Sequence, residues 1–286
     1  MKAFDGIRVL DLTHVFAGPF CTFQLAVMGA DVIKIESPDF PDMMRCEGNS
    51  ETLNNLGLSN FFVCQNGGKR ALSLDLKSEQ DKQFFLKLVK TADVIVQNYS
   101  GKSMDKLGLS YEKLKRLNPK LIYCSMTGFG RTGPKAEHPA YDSVIQAFSG
   151  LMELNGVEST GPMRVGPAIV DYGTGIHAAF AISSALYRRQ ITGEGIEIDL
   201  SMLDAALMLM TSTVSDTLAS GVSKPNHGNN HPEYAGYGAY KASDRMIVIG
   251  AFTNKQLNNL FLALDLKKQA DRVSSMNKAE IKDNNS

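Results

Sequence analysis

The chain has 286 residues, 43% of them hydrophobic and 21% charged, the composition of a folded globular protein with room for one large domain or a large and a small one. Its 30 basic and 30 acidic side chains cancel, so no overall charge draws it to nucleic acid or to an anionic membrane surface. Cys21, Cys46, Cys64 and Cys124 stand at irregular spacings without a Cys-x-x-Cys pair, which speaks against a disulfide framework and a cysteine zinc site and suits a cytoplasmic setting.

The first residues lack the apolar core of a signal peptide, and no segment approaches about 18 uninterrupted apolar residues. Neither secretion nor membrane spanning is expected. Ile7 to Leu12 reads as a buried strand, and Gly18-Pro19 opens an apolar helix to about Met28. Gly29-Ala30 then turns the chain into a second strand, Asp31 to Glu36. This β-α-β unit predicts a parallel sheet with a right-handed crossover. Ser37 to Gly67 is a long excursion rich in Pro, Asp, Asn and Met, of the kind that borders sites in α/β proteins. Ala71 to Leu76 is the next strand, Ser78 to Thr91 a helix and Ala92 to Val96 a strand. Asn98 to Gly101 forms a loop at that strand's carboxyl end, the usual binding edge of an open α/β sheet.

Ser110 caps a helix from Tyr111 to Leu117, and Asn118-Pro119 stops it ahead of a strand from Leu121 to Met126. Gly128 to Pro139 is a loop, Tyr141 to Ser149 a helix and Gly150 to Arg164 irregular. A long helix from Tyr172 to about Arg189, a turn at 192–195, a strand from Ile196 to Leu200 and an apolar helix from Ser201 to about Thr217 follow. Ser220 to Pro232 reads as a linker. Met246 to Ala251 and Asn254 to Leu264 make one more strand and helix, and the tail from Lys267 to Ser286 has little to bury. The expected fold is α/β with a Rossmann-like parallel sheet, and 220–232 is the candidate linker.

No G-x-G-x-x-G follows the first strand and no G-x-x-x-x-G-K-[ST] occurs, so dinucleotide and P-loop readings lose their main support. A G-x-S-x-G elbow is also absent, and the five histidines form no spaced metal pair. What remains is Asp171, delivered by the apolar run Pro167 to Val170 directly ahead of Gly173 and Gly175. It either caps the following helix or serves as an attacking carboxylate next to a backbone that other molecules can approach. Amides around Gly173 to Gly175 are candidate oxyanion donors. Arg45, Lys69, Arg70, Lys102, Lys106, Arg131 and Lys135 lie in loops, and Phe16 and Tyr99 at strand ends. With helix starts at Gly18 and Tyr172, they could hold a polyphosphate.

Seven blocks, in order, resemble the type III CoA-transferases, the family of formyl-CoA:oxalate and carnitine CoA-transferases and 2-methylacyl-CoA racemases. They are residues 6–36 (GIRVLDLTHVFAGPFCTFQLAVMGADVIKIE), 66–77 (NGGKRALSLDLK), 92–99 (ADVIVQNY), 118–130 (NPKLIYCSMTGFG), 139–150 (PAYDSVIQAFSG), 166–178 (GPAIVDYGTGIHA) and 192–207 (TGEGIEIDLSMLDAAL). The resemblance implies an acyl-CoA:carboxylate CoA-transferase without a metal. It would take an acyl-CoA donor and a carboxylic acid acceptor through an aspartyl anhydride and an aspartyl-CoA thioester on Asp171. It maps CoA contacts onto His14, Val15, Ala17, Lys69, Asn98, Tyr99 and Lys106, and implies a Rossmann-like large domain over 1–219, a linker over 220–232, a partial small domain with a polar tail over 233–286, and an interlocked homodimer where the C-terminal part is present.

Phe16 stands where the formyl-CoA transferase has glutamine. Tyr141 stands where the racemases have an acid/base histidine, and a phenol near pKa 10 is a poor base at neutral pH. A racemase-type isomerase is therefore the lesser alternative. Family members continue past the position matching Ser286, so a third alternative is a shortened, catalytically silent CoA-binding remnant.

Overall fold

The computed structural model describes residues 1–99, 102–223, 225–231, 234 and 236–275. Its elements in chain order begin with β1 (Arg8–Leu12), α1 (Ala17–Val27), β2 (Asp31–Glu36), a 3₁₀ turn (Met43–Cys46), α2 (Glu51–Asn55), α3 (Asn60–Asn66) and β3 (Arg70–Ser73). Then come α4 (Glu79–Val89), β4 (Val94–Gln97), α5 (Ser103–Lys106), α6 (Tyr111–Leu117), β5 (Ile122–Thr127), α7 (Asp142–Phe148), β6 (Gly156–Val157) and β7 (Gly161–Pro162). The last are α8 (Ile169–Thr192), β8 (Ile196–Ser201), α9 (Met202–Leu209), α10 (Thr211–Ser220), β9 (Tyr237–Lys241), β10 (Met246–Gly250), α11 (Asn254–Ala263) and α12 (Lys267–Ser275).

The chain divides into two compact units, 1–151 with 164–222, and 152–163 with 223–286. In the first, six described strands form a parallel sheet in the order β3-β2-β1-β4-β5-β8. The strands are covered on both faces, as parallel sheets require. Leu10, Ile33, Ile95 and Tyr123 face α4 and α6 through Phe85, Val89 and Leu114. Their alternating neighbours Val9, Val32, Val94 and Ile122 face α1 and α8 through Cys21, Leu25, Ala178 and Ile182. The two-residue period of the strands thus sorts one apolar run into two cores.

Helices α1 and α8 lie close together because α8 carries no side chain where they meet. A Cβ on Gly175 would stand 2.7 Å from the Ala17 carbonyl oxygen and 3.2 Å from the Cys21 amide nitrogen, both backbone atoms of α1.

The second unit has the antiparallel pair β9–β10 and helices α11 and α12 around Ala251, Leu257 and Val273. Three features differ from the sequence reading. Residues 152–163 group with this unit and not with a continuous 1–219 domain. The β6–β7 hairpin is closed by the Met163 amide on the Met152 carbonyl, and Val157 lies against Gly228. The helix expected from Ser201 to Thr217 is interrupted at Met210, whose φ of −105° and ψ of 18° leave the helical region. Lys267 to Ser275 is a helix, not a frayed tail, because Ala270 and Val273 are buried and the Asn258 side chain donates to the Ala270 carbonyl. Residues 276–286 of the expected tail, and Lys224 and Pro232 of the expected linker, lie outside the described residues.

Gly175→Ala is expected to push α1 and α8 apart and to cost about 2 kcal/mol of stability, in the range for overpacking. Gly166→Ala, with nothing within 4 Å of its added Cβ, is the neutral control. Urea unfolding of the two variants checks this.

Candidate active site

The strand order reverses between β1 and β4. From β1 the chain continues to β2 and β3 on one side, and from β4 to β5 on the other. A crevice opens beyond the carboxyl ends of strands at such a switch point. Here it is a cleft of about 510 Å³, lined by the β1–α1 turn from Thr13 to Ala17, by Asn98 and Tyr99 after β4, and by His138, Tyr141 and Asp171.

Side chains from outside the turn hold its backbone. Asp11 accepts from the Thr13 amide at 2.9 Å and from the hydroxyls of Thr13 and Thr22. Lys34 donates to the Thr13 carbonyl at 2.8 Å and to Asp42 at 3.1 Å. Asn98 accepts from the His14 amide at 3.0 Å and donates to the His14 carbonyl at 2.8 Å. Asp42 accepts from the Val15 amide at 3.1 Å. Val15 needs this support, since its φ of 70° is a left-handed conformation that a β-branched residue rarely adopts.

Beneath the turn the charges are fully buried. Burial alone would raise the Asp11 pKa, but Lys69 and Lys34 beside it, with the Thr13 and Thr22 hydroxyls, hold it down at about 2. Burial lowers the pKa values of Lys69 and His14 and raises that of Tyr99.

Asp171 sits in the first turn of α8 and is 9% exposed. Burial first, and the charge of Asp142 second, push its pKa up to about 7, opposed by a hydrogen bond from the Ala17 amide. Asp171 is not the cap of its helix. The N-cap residue is Ala168, which has no side-chain acceptor. The amides of Val170 and Asp171 instead donate to Asp142 on α7, at 2.8 and 3.1 Å. Phe16, Phe20, Phe61 and Tyr172 form a chain of ring contacts beside this point, with centroids 4.8 to 6.1 Å apart.

A model of CoA-transferase family III matches residues 4–285. The chain belongs to CoA-transferase family III. It is 39% identical over 275 residues to a succinyl-CoA:mesaconate CoA-transferase from Haloarcula hispanica, covering 93% of this chain and 68% of that one. With an acetyl-CoA:oxalate CoA-transferase from Acetobacter aceti it shares 42% over 247 residues, covering 86% and 62%. A crystal structure of a CAIB/BAIF family protein from Brucella suis superposes with a TM-score of 0.86 at 37% identity, covering 98% of this chain and 74% of that one. The chain therefore spans between about six and seven tenths of the length of the two curated relatives.

Of the residues expected to meet CoA in a family III CoA-transferase, His14, Val15, Ala17, Asn98 and Tyr99 all line the cleft with Asp171. Lys69 does not. Its side chain is 2% exposed and its ammonium group donates to Asp11, the Pro19 carbonyl and Asn66, all within 2.9 Å, so it braces the turn from below. Lys106 is exposed on α5 and is also absent from the lining. The remaining loop cations serve elsewhere: Arg45 pairs with Glu36, Arg70 with Asp31, Lys102 with Glu137 and Arg131 with Glu197, and Lys135 lies over the rings of Phe129 and Phe148. Among the described lining residues, the basic side chains are His14 and His138. Gly173 to Gly175 lie inside the hydrogen-bond ladder of a helix that begins at Ile169, so their amides are not free oxyanion donors. The Ala17 amide is the backbone donor at Asp171. Ser100 and Gly101 of the expected loop lie outside the described residues.

Sequence reading missed Lys34, Asp42, Asp142 and Gln146. Lys34 had a signal: a lysine between Ile33 and Ile35 in a strand covered on both faces has no solvent to reach and needs a partner.

Lys69→Met is expected to strand the buried Asp11 carboxylate and cost on the order of 3 to 5 kcal/mol. Lys106→Met stays within about 0.5 kcal/mol. Urea unfolding separates the two roles. Folding also raises the Asp171 pKa from 3.8 to about 7, so the residue's stabilising share is whole below pH 3.8 and lost as pH rises through about 7. Asp171→Asn is accordingly expected to raise Tm at pH 8 and to change it little at pH 4, as calorimetry at the two pH values would read.

Proposed function

We propose that the chain is an acyl-CoA:carboxylate CoA-transferase that carries the acyl group on Asp171. The observation behind this is one carboxylate, buried yet lining the cleft at the switch point, with the Ala17 amide on it and, among the described residues, no cation beside it. An unpaired carboxylate in a desolvated wall keeps its electron pair available for a carbonyl carbon, whereas one neutralised by Lys or Arg does not.

The steps balance without any added reagent. An Asp171 oxygen bonds to the thioester carbon of the donor, the C–S bond breaks, and CoA leaves as thiolate. The thiolate attacks the aspartyl carbonyl of the resulting anhydride and expels the donor carboxylate, which leaves an aspartyl-CoA thioester. An acceptor carboxylate then attacks that carbonyl and releases the thiolate again. The thiolate finally takes the acceptor's acyl carbon, giving a new acyl-CoA and free Asp171.

His14, Val15, Ala17, Asn98 and Tyr99 are the proposed CoA contacts. The braced turn fixes their positions, and the Ala17 amide is placed to steady negative charge beside Asp171. Phe16, backed by the rings of Phe61 and Tyr172, gives the cleft an apolar surface against which an acyl group can lie. Ile176, Phe180, Tyr187 and Ile191 make an outward apolar stripe along α8, each more than half exposed, which supports a homodimer covering it. No helix among the described residues is long and apolar enough to cross a membrane.

Incubation with acetyl-CoA or succinyl-CoA, trapping with hydroxylamine and peptide mass spectrometry are expected to find the modification on Asp171, with none in Asp171→Ala. Deuterium exchange at the α-carbon with Asp171 untouched would point instead to the isomerase. Oxalate and mesaconate are the first acceptors to test. Because protonated Asp171 cannot attack, kcat/KM is expected to fall as pH drops below about 7.

A further inference from the structure

We infer that Asp142, held by Gln146, is a positioning residue for the transfer: it caps α8 from another helix, fixing the Asp171 backbone while keeping the helix amides away from the Asp171 carboxylate. The inference rests on the proposed role of Asp171.

Asp142 and Gln146 lie one turn apart on α7, 8% and 0% exposed. One Asp142 oxygen accepts both the Val170 and Asp171 amides, and the other accepts from the Gln146 side chain. The Gln146 carbonyl accepts from the Val165 amide at 2.8 Å. A continuous chain of hydrogen bonds therefore runs from the segment before α8, through α7, to the first turn of α8. Those amides are the donors that an acidic cap takes at a helix start.

Had Asp171 taken them itself, its carboxylate would turn onto its own backbone and be stabilised as the anion, a weaker nucleophile. With Asp142 occupying that place, Asp171 remains in the cleft wall with the Ala17 amide as its hydrogen-bond donor. Asp142 also sets a second negative charge beside it, which adds to burial in raising its pKa.

Asp142 is the charged group that α7 turns toward Asp171. The neighbouring Tyr141 and the histidines His14 and His138 line the same cleft, Tyr172 lies on α8 itself, and Cys64 on α3 faces Tyr172. From α1, β5, β8 and α9, the buried titratable side chains are the thiols Cys21 and Cys124 and the phenol of Tyr123, which packs on the sheet face away from α8, while Asp204 of α9 is exposed.

The test compares wild type with Asp142→Asn and the double variant Asp142→Asn with Gln146→Glu. In the double variant the new carboxamide on the first residue of α7 can still accept the two backbone amides and donate to the new carboxylate one turn on. The chain of bonds survives and the charge moves one turn further along the helix. That variant also keeps the test open should Asp142→Asn alone misfold. Single-turnover release of CoA from acetyl-CoA or succinyl-CoA is followed across pH. In the double variant the acid limb is expected about one pH unit lower, while the rate on the alkaline plateau, with the capping bonds intact, stays within about threefold of wild type and the acyl-CoA KM within about twofold.

In Asp142→Ala, which loses the cap as well, the plateau rate is expected to fall by on the order of a hundredfold. A folded Asp142→Ala at the wild-type plateau rate, or a folded double variant whose plateau rate falls a hundredfold although its capping bonds are kept, would overturn the inference and leave the Asp171 reading standing. Wild-type enzyme that turns over without labelling Asp171, or labels nowhere, would overturn both.

Discussion

The ammonium group of Lys34 holds the site together. It lies almost wholly out of solvent, bonded to the Thr13 carbonyl and the Asp42 carboxylate. Asp42 in turn accepts the Val15 amide, which keeps a valine in a left-handed conformation that costs on the order of 1 to 3 kcal/mol. That strain lets the chain leave β1, turn sharply and begin α1 with the Ala17 amide on Asp171. A buried ion pair is a weak source of net stability, since desolvation consumes most of its attraction. Its worth here is geometric. The second pair, Asp11 with Lys69, works on the same turn from the other side, so four buried charges from four separate stretches of chain meet under one loop.

Much of this architecture was legible in the sequence. The β-α-β opening, the strand order's reliance on parallel pairing, the carboxyl-edge position of Asn98 and Tyr99, and the placing of Asp171 at a helix start all follow from apolar periodicity and turn residues. The seven matching blocks carried the family. What periodicity could not supply was burial of charge. Lys69 reads as a loop cation because nothing local tells it from Lys106. Only the folded sheet brings Asp11, 58 residues away, within reach of one and leaves the other in solvent.

The capping of α8 shows the same limit. Local reading gave Asp171 two roles, cap or attacking group, because an acid before a helix suits both. The amides it might have taken are held by a residue 29 positions earlier, and no window of neighbouring residues contains that information. Interruption of the 201–217 segment at Met210, and the transfer of 152–163 to the second unit, are likewise tertiary decisions. The amphipathic pattern is compatible with a straight helix and with 152–163 lying in the same stretch as its neighbours, and packing placed both otherwise.

The pairing of Asn98 with His14 has one more consequence. A carboxamide that both donates to and accepts from a single residue reproduces what an opposing peptide group does in a sheet. At the point where β1 and β4 have ended and their loops diverge, this side chain supplies one further rung. The seam between the two strands is thus stitched past their last backbone pairing, under the floor of the cleft. Across the cleft, Phe40 and Met43 on the excursion after β2 and His138 on the loop before α7 belong to no strand of the sheet.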